Sequence, residues 1–491
     1  MSMKQRMKVV DEIETRNQPA KAAAWFSISN IIIKGFSFVL LPVYARVMPS
    51  NELGVHSIYS IYEQVILILG TFEMFIGTYQ RGLFKFKGRE RSYTRTTILL
   101  MNAITTFLFL FLFAIRRIVY KETGITLLVL VFFFLRTLFQ PGYECWVIRR
   151  RIEYDYRPVV MVNSLLAGLT AVVCLSMLHW VAPTANVRII STLGVASILG
   201  VGFWGHGIIA RDCERGLKNG EEFIIYNLRM ALPNIPHALS FLMLAQADRI
   251  MIERMVGEKE VAYYSVSYSV ASAMMILQAS ILSAIVPWMY RKMENRELHS
   301  VGKVIENIAF FLGMTIIVFT LIIPEVFRML FATEYTGAIG CIPPITLSAF
   351  FMFLYAVFAH YEIFNEKPRY LMYISLICAL MNVVLNYYAI PIYGYVACCW
   401  TTLVSYIFYA LGHCVFAMRI AVKTRTAFPF RIKRLSMMSI IITGVVIMIV
   451  GLQKMPTIRY GLLMIIIAVG IVNREYLLKL IRVLKDGENC G

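Results

Sequence analysis

Lys34 and Arg136 each sit near the middle of a long apolar segment, at 22–45 and 123–148. A charge at that depth in a lipid bilayer costs several kcal/mol unless it meets protein or water. Lys34 shares a helical face with Ser27, Asn30 and Ser37, spaced three and four residues apart, so one polar stripe runs through an otherwise apolar helix. Arg136 is followed at four-residue intervals by Gln140 and Glu144, while the segment 56–78 holds Glu63 and Glu73 and is closed by Arg81. Lysine is a point charge and arginine a planar fork, and together they suit a phosphate or diphosphate held in a hydrated cavity. The same residues also permit a plainer reading, in which the charges pair with one another, for instance Lys34 with Glu73, and only fix helix packing.

A second group lies in the other half of the chain. Asp248, Arg249, Glu253 and Arg254 follow the apolar run 230–247, which Pro233 and Pro236 are expected to kink. Asp248, Arg249 and Arg254 are candidates for a gate or for ion coupling, as are Glu63, Glu73 and Glu144; an interfacial ion-pair cluster is the competing reading. His237, one turn after Asn234, and His360 with Glu362 could exchange a proton with water near neutral pH, although a single histidine in a span more often only packs. No residue set suggests catalysis, a metal or a cofactor. There is no G-x-x-x-x-G-K-[ST] phosphate loop and no H-E-x-x-H, and the nine cysteines are scattered without a C-x-x-C pair.

The elements that must position these groups follow from composition. Of 491 residues, 59% are hydrophobic and only 16% charged, against about a quarter charged in water-soluble domains. Spans of about 20 apolar residues are expected at 22–45, 56–78, 96–115, 123–148, 158–187, 189–210, 230–247, 261–290, 307–324, 335–361, 435–453 and 460–473. The charge-free stretch 370–418, broken by Pro391 and Gly394, supplies two more as a hairpin. These make about fourteen transmembrane helices in an all-α polytopic membrane protein.

The net charge of +19 resolves into topology. Of 48 Lys and Arg, 35 fall on the side of the N-terminus and three lie inside spans. The positive-inside rule then puts both termini in the cytoplasm, and nucleic acid is not needed to explain the basicity.

A weak internal repeat appears at an offset of 208, matching Arg46 to Arg254, Glu52 to Glu260 and Ser57 to Ser265. It implies two pseudo-symmetric, parallel six-helix bundles. The expected organisation is a cytoplasmic tail (1–20), an N-terminal bundle (21–218), a C-terminal bundle (219–428), two extra C-terminal helices (429–476) and a basic cytoplasmic tail (477–491). All loops are short, which disfavours a polysaccharide polymerase or ligase with a catalytic outer loop.

Two segments, KAAAWFSISNIIIKGFSFVLLPVYARVMPSNELGVHSIYS and LPNIPHALSFLMLAQADRIMIERMVGEKEVAYYSVSYSVA, resemble the Wzx-type polysaccharide flippases of the multidrug/oligosaccharidyl-lipid/polysaccharide exporter superfamily. The Asp-Arg-Ile-Met-Ile run, the Gly after it and the Tyr-Ser-Val repeat carry most of that similarity. The resemblance implies a non-enzymatic secondary transporter of the bacterial inner membrane. Its substrate would be an undecaprenyl-diphosphate-linked oligosaccharide, flipped outward by alternating access for O-antigen, capsule or exopolysaccharide synthesis. The partners implied are the polyprenyl-linked sugar, membrane lipid, and functionally a polymerase and a chain-length regulator. The family's cationic cavity would correspond to Lys34 and Arg136, with Arg81, Arg249 and Arg254 near its mouths. A multidrug or metabolite exporter of the same superfamily is the alternative.

Overall fold

The computed structural model describes residues 35–36, 38–75, 78–209, 220–232, 234–365, 369–424, 427–453 and 455–472, with a few side chains within them left out. Lys34 and Asn30 therefore lie outside the described residues. Every regular element among the described residues is helical, and eleven helices are long and apolar enough to cross a membrane. The chain is a multi-pass membrane protein. The three other expected spans fall on the short apolar helix α1 (Phe38–Val47), on α10 (Asn234–Met255), whose last turns carry four charged residues, and on α17 (Pro456–Val472).

Two compact units divide the chain, Met1–Gln246 and Ala247–Gly491. In the first, α1 is followed by α2 (Ser50–Thr71), α3 (Thr78–Lys85), α4 (Glu90–Ala114), α5 (Arg116–Thr123), α6 (Leu127–Ile152), α7 (Tyr156–Trp180), α8 (Ala185–Ile209) and α9 (Gly220–Ala231). The second span begins earlier than its hydropathy suggests and ends sooner. Pro49 has no N–H to leave unsatisfied at a helix start, so α2 starts at Ser50, and Phe72 and Glu73 turn into the left-handed region at φ 50° and 45°. Glu73 thus stands just beyond the helix, its N–H donating to Thr71 Oγ1 at 3.2 Å.

α6 lies between α4 and α8. It approaches α8 so closely at Gly142 that a Cβ there would sit 2.5 Å from Trp204 Cα, which only glycine tolerates. Phe109, Val129, Phe133, Ile189 and Leu193 fill one core of this unit, and Tyr79, Phe86, Tyr93, Met101 and Phe223 a second. The Glu52 carboxylate accepts the Ala185 N–H at 2.7 Å, placing a negative charge at the N-terminus of α8, where the helix dipole favours it.

The second unit holds α11 (Glu258–Glu294), α12 (Leu298–Leu330), a 3-10 segment (Thr333–Cys341), α13 (Ile342–Phe364), α14 (Arg369–Tyr393), α15 (Val396–Thr424), α16 (Ile432–Gly451) and α17. Its core gathers Ile305, Leu312, Phe350, Phe353, Val357, Ala417 and Val446. α13 is buried around most of its circumference, which suits a helix apolar on all faces. Gly394, at φ +65°, makes the sharp turn between α14 and α15, as Pro391 and Gly394 foretold.

Three pairs of helix boundaries stand at the offset of the sequence repeat. α1 ends at Val47 and α10 at Met255, α2 starts at Ser50 and α11 at Glu258, and α4 starts at Glu90 and α12 at Leu298. Each pair stands 208 residues apart, the offset of the Arg46/Arg254 match.

Candidate functional site

In the first unit the polar groups of α2 and α6 meet. Arg136 Nε lies 3.8 Å from Glu63 Oε1, and both side chains are largely buried. One turn along α6, Gln140 donates to Glu144 at 3.1 Å, while Gln140 Oε1 is buried and unpartnered. The Thr105 hydroxyl donates to Gly70 O at 2.9 Å, so α4 closes against α2 beside this pair. The sequence placed Arg136, Gln140 and Glu144 on one stripe, and the structure adds Glu63 as the counter-charge. Arg81 is separate, exposed on α3. Its charge acts on Tyr226 of α9, whose hydroxyl burial pushes above the ordinary phenol range while Arg81 opposes the shift.

A cavity of about 460 Å³ opens in this unit between α4, α6 and α8, lined by Arg91, Arg149, Arg150, His206, Trp146 and Phe203 among others. Glu153 and Asp155 partly neutralise its arginines, at 3.0 Å from Arg149 and 2.7 Å from Arg150. In the sequence these cations count only toward the positive-inside topology.

The second unit has a different site. Asp248 is buried on α10 and accepts three hydrogen bonds: from Tyr264 O–H at 2.5 Å, Asn386 Nδ2 at 2.6 Å and Thr402 O–H at 3.2 Å. Asn386 also donates to Asn382 Oδ1 at 3.2 Å and accepts from Thr401. Arg249 turns from Asp248 to donate to Ser265 Oγ at 3.1 Å, its guanidinium 4.8 Å from the Tyr268 ring centre. A carboxylate among neutral oxygens and amides, with a cation held nearby on an aromatic face, can bind a proton or a small hard cation.

Residues 20–293 match the family of polysaccharide biosynthesis proteins, which is more than half of the chain. The chain belongs to that family. Residues 233–388 also match the MatE family. No curated relative matches.

The family member shares its fold with solved transporters. It is similar to a lipid II flippase MurJ in an inward closed conformation, at 13% identity and a TM-score of 0.65, covering 92% of this chain and 99% of that one. It is similar to an inward-facing multidrug resistance MATE family transporter of the MOP superfamily, at 13% identity and 0.63, covering 83% and 99%. A MOP superfamily transporter from Pyrococcus furiosus follows at 15% identity and 0.55, covering 82% and 97%.

The other sequence candidates of this polysaccharide biosynthesis protein are dispersed. Arg254 is exposed at the end of α10, and the side chain of His237 lies outside the described residues. His360 Nδ1 meets the Tyr290 hydroxyl at 3.0 Å. Glu362, two residues on, faces the other way and meets His413 Nδ1 of α15 at 2.9 Å, with both side chains sealed from solvent. The sequence alone does not single out His413, because its partner is 51 residues away. The available signal was the spacing of Thr402, Tyr406, Tyr409 and His413, which share one helical face in an apolar stretch.

Proposed function

We propose that the protein is a flippase that carries undecaprenyl-diphosphate-linked oligosaccharide repeat units from the cytoplasmic to the outer face of a bacterial inner membrane, by alternating access of the bundles 21–218 and 219–428. The polysaccharide biosynthesis match carries the reading, since it spans the segment that holds Lys34 and Arg136. Support also comes from a fold that a lipid II flippase shares over nearly the whole chain.

In this mechanism the diphosphate is drawn to Lys34 and Arg136. Arg136 arrives partly neutralised by Glu63, so the substrate competes with an internal carboxylate and binds reversibly, as transport requires. Asn30 and Gln140 offer hydrogen bonds to the sugar or phosphate, and Arg81 waits at the cytoplasmic end. Asp248, within its ring of Tyr264, Asn386 and Thr402, is the site where a coupling ion acts. Both termini lie in the cytoplasm, and a polymerase and a chain-length regulator consume the exported unit.

The test is complementation of a flippase-deficient strain: the wild-type chain restores surface polysaccharide, and Lys34→Ala with Arg136→Ala fails at matched protein levels. A multidrug exporter is the second reading, favoured by the MatE match over 233–388. It predicts raised tolerance to cationic drugs with no change in surface polysaccharide.

A further inference from the structure

The cavity between α4, α6 and α8 is walled by one face of each helix. On α6, Trp146 stands three and four residues before Arg149 and Arg150; on α4, Arg91 stands three before Thr94; on α8, Phe203 stands three before His206. Arg149 and Arg150 follow directly on the apolar span 123–148. The cavity therefore lies at the depth of the lipid headgroups, where tryptophan and basic residues collect.

Topology alone does not explain this grouping. The positive-inside rule counts lysine and arginine alike, yet the wall takes its fixed positive charge from Arg91, Arg149 and Arg150. Arginine presents a planar fork that matches two phosphate oxygens, which lysine does not. Glu153 holds Arg149 at 3.0 Å and Arg150 at 3.5 Å, and Asp155 holds Arg150 at 2.7 Å. The side chains in these pairs are 37–44% exposed. Ion pairs this open contribute little, so a phosphate can take over the guanidinium forks. Three guanidinium groups against two carboxylates leave an excess of positive charge.

The rest of the wall narrows the ligand. At about 460 Å³ the cavity has the size of a small-molecule site, far larger than a phosphate ion needs. Trp146, Phe203 and Ile98 make part of it apolar, while the Tyr79 and Thr94 hydroxyls, 2.7 Å apart, can bond a polyol. A phosphodiester with glycerol on one side and acyl chains on the other matches each of these surfaces. Basic pockets between membrane helices are a common seat for such headgroups.

We propose that this cavity binds the phosphodiester headgroup of an anionic glycerophospholipid, with Arg149 and Arg150 on the phosphate, Arg91 beside them and the glycerol against Tyr79 and Thr94. The bound lipid bridges the end of α6 to the start of α4 and stabilises the first unit. The site is separate from Arg136, which lies about 20 Å further along α6. A transporter of any cargo can use it, so it stands or falls apart from the flippase reading.

The test is thermal unfolding of the purified protein in an uncharged detergent. It is titrated with dihexanoyl phosphatidylglycerol, dihexanoyl phosphatidylcholine or glycerol phosphate. A ligand of the folded state raises the melting temperature with concentration, so each titration yields an apparent Kd. Phosphatidylglycerol is expected to bind at least about tenfold more tightly than either other probe. Arg149→Gln/Arg150→Gln weakens it by about tenfold or more, the worth of a lost charge-assisted bond. Arg149→Lys/Arg150→Lys weakens it less, because the charge stays and the fork goes. Arg91→Gln, at an exposed position of α4, gives the same reading should the α6 pair not fold. Arg116→Gln/Arg117→Gln removes two charges from α5 and leaves binding unchanged. Undiminished phosphatidylglycerol binding in the Arg149/Arg150 and Arg91 glutamine variants, or an equal loss in the α5 variant, overturns the site. Glycerol phosphate or phosphatidylcholine binding as tightly as phosphatidylglycerol overturns the anionic lipid as its occupant.

Discussion

Arg136 Nε stands 3.8 Å from Glu63 Oε1, joining α6 to α2 inside the first unit. The pair decides how Arg136 is to be probed, because removing one partner leaves the other charge buried and uncompensated. Arg136→Ala alone is expected to lower stability by about 2 kcal/mol, below the cost of a fully buried pair because both side chains keep some exposure. Arg136→Ala combined with Glu63→Gln recovers most of that loss, and export stays absent. Thermal unfolding in detergent and surface polysaccharide, read on the same variants, separate packing from substrate contact. Recovery of both together would reduce Arg136 to a packing residue.

Asp248 takes its three hydrogen bonds from neutral donors. Asp248→Asn keeps one acceptor oxygen and loses one or two of these three bonds, so it is expected to lower stability by about 1–3 kcal/mol. Export should fall at least tenfold. Normal export by a correctly folded Asp248→Asn variant would remove ion coupling from this position.

Arg459, on α17, is the largest fully buried side chain among the described residues. It donates to Leu321 O at 2.8 Å and forks onto Glu325 of α12. Arg459→Ala is expected to cost about 3 kcal/mol, since Glu325 loses its counter-ion and α17 its tie to α12. Cysteines introduced along α17 should then become reactive to a membrane-impermeant thiol reagent, and unchanged labelling would show that α17 is held by other means.

Gly142 faces the Trp204 backbone. Gly142→Leu forces α6 from α8 and is expected to destabilise the first unit by about 1–3 kcal/mol, read as a lower melting temperature. An unshifted melting temperature would mean that the two helices separate without cost.

Much of this architecture was legible in the residues. Pro391 and Gly394 marked the α14–α15 turn because proline ends a helix and glycine accepts the left-handed conformation. The three matches at an offset of 208 fall where three pairs of helix boundaries share that offset, while the starts of α8 and α15 stand 211 residues apart. Hydropathy places this span at 56–78 because it does not register the helix start at Pro49 or the left-handed turn at Phe72 and Glu73, whereas backbone geometry fixes the ends at Ser50 and Thr71. The site was less legible. Arg136, Gln140 and Glu144 were found because helical spacing is local, and Glu63 was named without its partner. His413, Tyr409, Asn386 and Arg459 were passed over because their meaning lies in partners on other helices, 138 residues away for Asn386 and Asp248.

The most direct test is surface polysaccharide output from the Lys34→Ala/Arg136→Ala variant in a flippase-deficient strain, with protein level and membrane insertion matched to the wild-type chain. Loss of output, with undecaprenyl-diphosphate-linked repeat units accumulating on the cytoplasmic face, is the predicted result. Wild-type output would contradict the assignment of these two cations to the substrate diphosphate.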